Sequence, residues 1–145
     1  MSARFASSFL KKGIKEVVIY DENGVNERFG FGPKLLTDYK GLRGDPSDNI
    51  PGVVGIGEKT ATILIQKFGT IEEIYKTLKD DKKEFEKAGI KPRIVGILED
   101  NKEEALFSKM LATIRLDVPI DFEIPKEKWR DALGVEKILA LFKEF

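Results

Sequence analysis

The sequence contains no cysteine and no histidine, and only one tryptophan. The first absence excludes disulfides and thiolate metal sites, and the second excludes an imidazole base and a histidine-ligated zinc. Any metal must therefore be a hard cation held by carboxylates, carbonyls and water. Net charge is lacking too: 25 Lys+Arg balance 25 Asp+Glu. The bulk basic footprint usual in nucleic-acid binders is missing, so a case for nucleic acid has to rest on local geometry. No apolar run approaches the ~18–20 residues of a membrane span, and the first ten residues do not resemble a signal peptide. These absences predict a cytoplasmic protein with no membrane partner. What is present, 41% hydrophobic and 34% charged residues in 145, is a globular composition able to bury one core.

Residues 3–10 and 15–20 are strand-like and flank a Lys12-Gly13 turn, which predicts a small β-hairpin. Asp21 is placed to cap a short helix over ENGVNERFG. Pro33 suits the first turn of the next helix, in which Leu35, Leu36, Tyr39 and Leu42 share a face. After an irregular loop over 44–57, a helix carries Ala61, Leu64, Ile65 and Phe68 on one side and stops at Gly69. Thr70 and Glu73 form the spacing of a capping box, opening a helix that buries Ile71, Ile74, Tyr75 and Leu78. DDKKEFEK reads as a short, mostly solvated helix ending at Gly89. Pro92 is expected to start one helix running to about Thr113, with the charges from Glu99 to Glu104 exposed. DVPIDFEIP should be extended, and two last helices should turn Trp129, Leu133, Ile138, Leu141 and Phe142 inward.

The loop is the unusual part. YKGLRGDPSDNIPGVVGIGEKTATILIQKFG places glycines at 41, 44, 52, 55 and 57 immediately before an amphipathic helix. Two helices joined by GVVGIG describe a helix-hairpin-helix. Gly55 and Gly57 allow a tight turn and bring backbone amides close to a ligand. The first turn of the following helix, Glu58 to Ala61, adds unpaired N–H groups and a positive dipole end. Together these make an anion site, with Lys59 and Thr60 adding a cation and a hydroxyl; on DNA the anion is a phosphate. Lys34, Lys40 and Arg43 flank the loop. Arg43 is the best placed of them to touch a phosphate, although surface lysines on such helices are commonly just solvated. A bare G-x-G before a helix would by itself be read as a tight corner.

The longer string GDPSDNIPGVVGIGEKTA resembles the signature of the 5′-nuclease superfamily, which includes the 5′→3′ exonuclease domain of bacterial DNA polymerase I and the flap endonucleases. Gly44, Asp45, Ser47 to Val53, Gly55 to Gly57 and Lys59 to Ala61 all match its usual form. KKGIKEVVIYDENGVNERFGFGPKLLTDYKGL, SKMLATIRLDVPIDFE and LFKEF resemble further segments of the family's C-terminal half, so nearly the whole chain is covered.

The resemblance implies a mainly α fold: a helix-hairpin-helix subdomain over 33–145, preceded by a hairpin and short helix over 1–32 left from an α/β core. It implies that Asp45 and Asp48 help hold a second Mg²⁺ or Mn²⁺ in a complete nuclease. A local role stays open for both, bonding turn amides beside Ser47 to Ile50. It implies K⁺ on the backbone oxygens of Gly52, Val53 and Ile56, and phosphate contacts from Arg43, Gly55, Gly57, Lys59 and Thr60. The family's N-terminal α/β domain, which supplies most carboxylates and an arch carrying lysine and arginine, does not precede Met1. The expected function is therefore shape-reading binding of double-stranded DNA near a nick, flap or junction, without cleavage by the isolated chain. The alternatives are half of a split nuclease, active with an N-terminal partner or a polymerase domain beside it, and a stand-alone DNA-binding or scaffold protein. A helical protein–protein module is a weaker rival.

Overall fold

The computed structural model describes residues 7–10, 17–123, 126, 128 and 134–144. The chain divides into two compact units, Met1–Ile114 and Arg115–Phe145. The first opens with an antiparallel hairpin of β1 (Ser7–Leu10) and β2 (Val17–Tyr20), in the register Ser7 opposite Tyr20 and Leu10 opposite Val17. The Lys12-Gly13 turn and the expected strand ends at 3–6 and 15–16 lie outside the described residues.

Helices follow, and their ends obey the local chemistry. Asp21 caps α1 (Glu22–Phe29), its Oδ1 accepting the Gly24 N–H at 2.8 Å. Pro33 starts a 3₁₀ turn, Pro33–Leu35, that leads into α2 (Leu36–Arg43). Past the loop, α3 (Glu58–Phe68) ends at Gly69, and the Thr70–Glu73 capping box opens α4 (Ile71–Asp80). Then come α5 (Lys83–Lys87), α6 (Pro92–Asp100) and α7 (Lys102–Ala112). The second unit holds α8 (Val135–Glu144). Among the described residues no helix is long and apolar enough to cross a membrane.

The core of the first unit is assembled from Leu42 of α2, Ala61, Leu64 and Ile65 of α3, Ile71 and Ile74 of α4, Phe85 of α5 and Leu98 of α6, each at most 1% exposed. Burial of each large side chain contributes about 1.5–3 kcal/mol of transfer free energy. At Gly41 a Cβ would sit 2.7 Å from Ile71 Cδ1 and 3.0 Å from the Ala105 carbonyl, so glycine is what lets α2 lie against α4 and α7. Asp38, buried on α2, accepts the Ile71 N–H at 2.8 Å and pairs with Lys109 of α7 at 2.6 Å; Lys109 also reaches Glu72 at 2.7 Å. These contacts fix α2, and with it the start of the loop.

Two expectations need correction. The helix from Pro92 does not run unbroken to Thr113. Asn101 turns its side-chain amide onto the Ile97 carbonyl at 2.8 Å, and its own carbonyl accepts the Ala105 N–H at 3.1 Å. An asparagine that competes for backbone groups ends one helix and begins the next. DDKKEFEK is mostly solvated, as expected, and Phe85 is its one buried side chain, stacked on Phe68 at 4.4 Å between ring centroids. Leu141 and Phe142 do not face inward but are 56% and 75% exposed. Within their unit Leu116, Ile120 and Phe122 are exposed as well. Trp129 and Leu133 lie outside the described residues.

Candidate nucleic-acid interface

The loop between α2 and α3 is folded back on itself. Asp45 and Ile50 exchange backbone hydrogen bonds, both at 2.9 Å, enclosing a 3₁₀ turn, Pro46–Asp48, and Asn49 in the left-handed region at φ 56°. Gly44 and Gly52 sit where this loop closes, both at positive φ. A Cβ on Gly52 would lie 2.2 Å from the Gly44 nitrogen, and one on Gly44 would lie 2.6 Å from the Pro51 carbonyl oxygen. Only glycine permits two backbones to approach this closely.

The loop is also fastened to the helices beneath it. The Gly52 N–H donates to Ser108 Oγ at 3.0 Å, and the Val53 N–H donates to the Leu42 carbonyl at 2.8 Å. Ile50, Val53 and Ile56 bury their side chains. A tight turn follows, with the Ile56 N–H on the Val53 carbonyl at 3.0 Å and Gly55 at φ 93°. Val54 is left exposed at its tip.

Gly57 is different from the other loop glycines. It is the N-cap of α3 with φ −89° and ψ 179°, extended backbone that any residue adopts, and a Cβ there would meet nothing within 4 Å. Neither conformation nor packing within the chain demands glycine here. It provides no side-chain cap, so the first-turn amides of α3 face the space where a side chain would otherwise stand. Glu58 and Lys59 are exposed and Thr60 is half-buried. Among the described residues Lys59 and Thr60 have no side-chain partner, whereas Arg43 lies 3.9 Å from Glu58 in a loose ion pair. Lys34 is exposed on the preceding 3₁₀ turn.

Asp45 and Asp48 converge on Lys40. The Lys40 ammonium is 2.6 Å from Asp45 Oδ2 and 3.5 Å from Asp48 Oδ2. The other Asp45 oxygen accepts the Ser47 N–H at 3.1 Å and the Ser47 hydroxyl at 2.6 Å. Desolvation opposes ionisation of Asp45, but hydrogen bonds from Lys40 and Ser47 outweigh it and hold the carboxyl at about 2. Desolvation likewise works against the Lys40 ammonium, and the two aspartates override it and raise its pKa above 10.5.

This donor set does not by itself fit a divalent metal. Both Asp45 oxygens are engaged by donors, and among the described residues no third His, Cys, Asp or Glu joins the pair. Of the residues expected to carry K⁺, Gly52 and Ile56 accept no backbone bond at their carbonyls outside regular elements, and the Val53 carbonyl accepts one.

Two contributors were not singled out from sequence. In sequence Lys40 reads only as a phosphate contact, and its i, i+5 and i, i+8 spacing to the aspartates becomes meaningful only when the loop folds back. Ser108 is fully buried and lies 56 residues from the loop it holds; its one signal is a small polar residue in an otherwise apolar helical row with Ala105.

Comparison with known proteins identifies the family. The sequence pattern described as 5′-3′ exonuclease, C-terminal SAM fold, matches residues 31–133. DNA polymerase I of Bacillus caldotenax is 41% identical over 92% of this chain, and that of Bacillus subtilis is 39% identical over 92%. A 5′-3′ exonuclease of Buchnera aphidicola is 40% identical over 77% of the chain. The chain spans 14% of the length of each polymerase and 36% of that exonuclease. A match over most of the chain, including the whole of the glycine-rich loop and α3, places it plainly: the chain belongs to the 5′-3′ exonuclease C-terminal SAM fold family.

Proposed function

We propose that this chain grips the sugar-phosphate backbone of duplex DNA near a nick, flap or junction, as the DNA-holding part of a 5′→3′ exonuclease of the DNA polymerase I kind. The observation that carries this reading is Gly57, a glycine that the chain's own conformation and packing do not require, standing open in front of uncapped helix amides. A phosphate oxygen seated there would accept two or more amide N–H bonds and lie at the positive end of α3. Lys59 and Thr60 reinforce it, Arg43 adds a cation once it leaves Glu58, and Gly55 keeps the turn tight. Contacts of this kind position DNA without reading sequence.

Potassium held by the carbonyls of Gly52, Val53 and Ile56 would neutralise charge where no lysine reaches. In a longer chain carrying further carboxylates, Asp45 and Asp48 would be shared with Mg²⁺ or Mn²⁺. Alone, the chain binds DNA and does not cleave it, because an in-line displacement clamped by two metal ions needs more ligands than these two. The test is a titration of nicked duplex with the parent and the Gly57→Val and Lys59→Ala variants at several salt concentrations. Gly57→Val is expected to weaken binding at least about tenfold by filling the phosphate position, and Lys59→Ala to reduce the salt slope by about one. Equal affinities in all three proteins would defeat the proposal.

A further inference from the structure

We propose that Lys40 is the resident cation of the Asp45–Asp48 pair in this chain, and that a divalent ion enters this loop only by displacing its ammonium. This rests on the loop's internal contacts and not on DNA binding, so either reading can fail while the other stands.

Three observations carry it. First, among the described residues Lys40 is the one side chain that reaches both carboxylates, at 2.6 Å and 3.5 Å. Second, Asp45 is only 15% exposed, and its remaining oxygen is already turned inward onto the Ser47 amide and hydroxyl. Asp48 is 60% exposed, but an ion that is to be held by Asp45 as well would have to take the oxygen that Lys40 now holds, or break the bonds that shape the 3₁₀ turn. Third, Lys40 does not sit on a free arm. It projects from α2 just ahead of Gly44, and the Gly44 N–H is bonded to the Lys40 carbonyl at 2.8 Å, so the ammonium and the loop are built on the same helix end.

The consequence is electrostatic. A unit positive charge within hydrogen-bond distance of the carboxylates lowers their attraction for a doubly charged ion directly, and it occupies the ligand positions as well. Two carboxylates are a weak site for Mg²⁺, which keeps most of its water and needs several ligands. With the lysine in place they are weaker still. The lysine gives the loop a counter-charge that lets it fold without metal, and it is the group that must move when further carboxylates are brought to the same place.

The experiment measures Mn²⁺ binding by the loss of the free-ion electron paramagnetic resonance signal, with the full chain and no DNA. The parent, Lys40→Ala and Lys40→Ala with Asp45→Asn are compared at constant ionic strength. Removing a unit charge about 3–4 Å from the ligands is expected to tighten Mn²⁺ binding about tenfold or more. Adding Asp45→Asn should reverse that gain. Parent and Lys40→Ala binding Mn²⁺ equally well would overturn the proposal, as would a gain that survives Asp45→Asn.

Should Lys40→Ala fail to fold, the parent is compared with Lys40→Gln instead. Its Ser47 and Asn49 amide resonances are followed through a Mg²⁺ titration, with Lys40→Gln as the folded reference. Parent resonances that stay put while those of Lys40→Gln move support the proposal. Saturable parent shifts at micromolar Mg²⁺ contradict it.

Discussion

At the scale of single residues, the glycines of the loop separate into two kinds. Gly44 and Gly52 are required by the fold: their φ angles are positive and a Cβ at either would overlap backbone atoms. Gly57 is not, since its backbone is extended and its surroundings are open. Gly52→Ala should therefore cost more than about 2 kcal/mol of stability, from left-handed strain plus backbone overlap. Gly57→Ala should leave the melting temperature nearly unchanged while weakening nicked-duplex binding. Denaturant unfolding of both variants checks the difference; equal destabilisation would mean that Gly57 is structural. The sequence pattern alone could not make this division, because both kinds appear in it as loop glycines. It takes the φ angle and the distance to the nearest atom.

At the scale of elements, the α2–α4–α7 junction sets how firmly the loop is mounted. Asp38 is buried and satisfied by the Ile71 amide and Lys109, while Glu72 is an exposed second partner. Lys109→Met should cost about 3 kcal/mol, since it leaves a buried carboxylate unpaired. Glu72→Gln should cost less than about 1 kcal/mol, as exposed pairs do. Urea titrations of the two variants separate these cases. Desolvation disfavours the Lys109 ammonium, but Asp38 and Glu72 raise its pKa above 10.5. A raised pKa contributes stability that is complete below 10.5 and is lost as pH rises through the folded value. The parent should lose this increment under strongly alkaline conditions and Lys109→Met should not, read from stability against pH.

Most of these elements were legible in sequence because their signals are local. Asp21, Pro33 and the Thr70–Glu73 box mark helix starts by chemistry contained within a few residues. Periodicity does not carry the remaining features. Asn101 breaks a helix whose periodicity runs on through it, and Phe85 is drawn into the core by Phe68 from inside a charged run. The outward face of α8 could not be foreseen from its periodicity, which says that one side is apolar and not what covers it.

At the scale of the whole molecule, neutrality is compatible with the proposed DNA binding because the proposed anion site uses backbone amides rather than excess lysine. GVVGIGEK before a helical run points to that proposed site; the engagement of Asp45 and Asp48 by Lys40 cannot be read from sequence, because it needs the loop closed. Replacing KCl with LiCl at equal ionic strength should weaken DNA binding if hairpin carbonyls hold K⁺. An unchanged affinity removes the ion from the proposal and leaves the amides and Lys59 sufficient. The purified chain should cleave neither flap nor nicked DNA with Mg²⁺ or Mn²⁺, and labelled-flap assays check this directly. The central claim, that DNA phosphate sits on the α3 N-terminus, is tested most directly by titrating ¹⁵N-labelled chain with nicked duplex and following its amide resonances. The Gly57, Glu58, Lys59 and Thr60 amides should move first and furthest, with the shifts lost in Gly57→Val. Saturating DNA that leaves these four amides unmoved while others shift would contradict the claim.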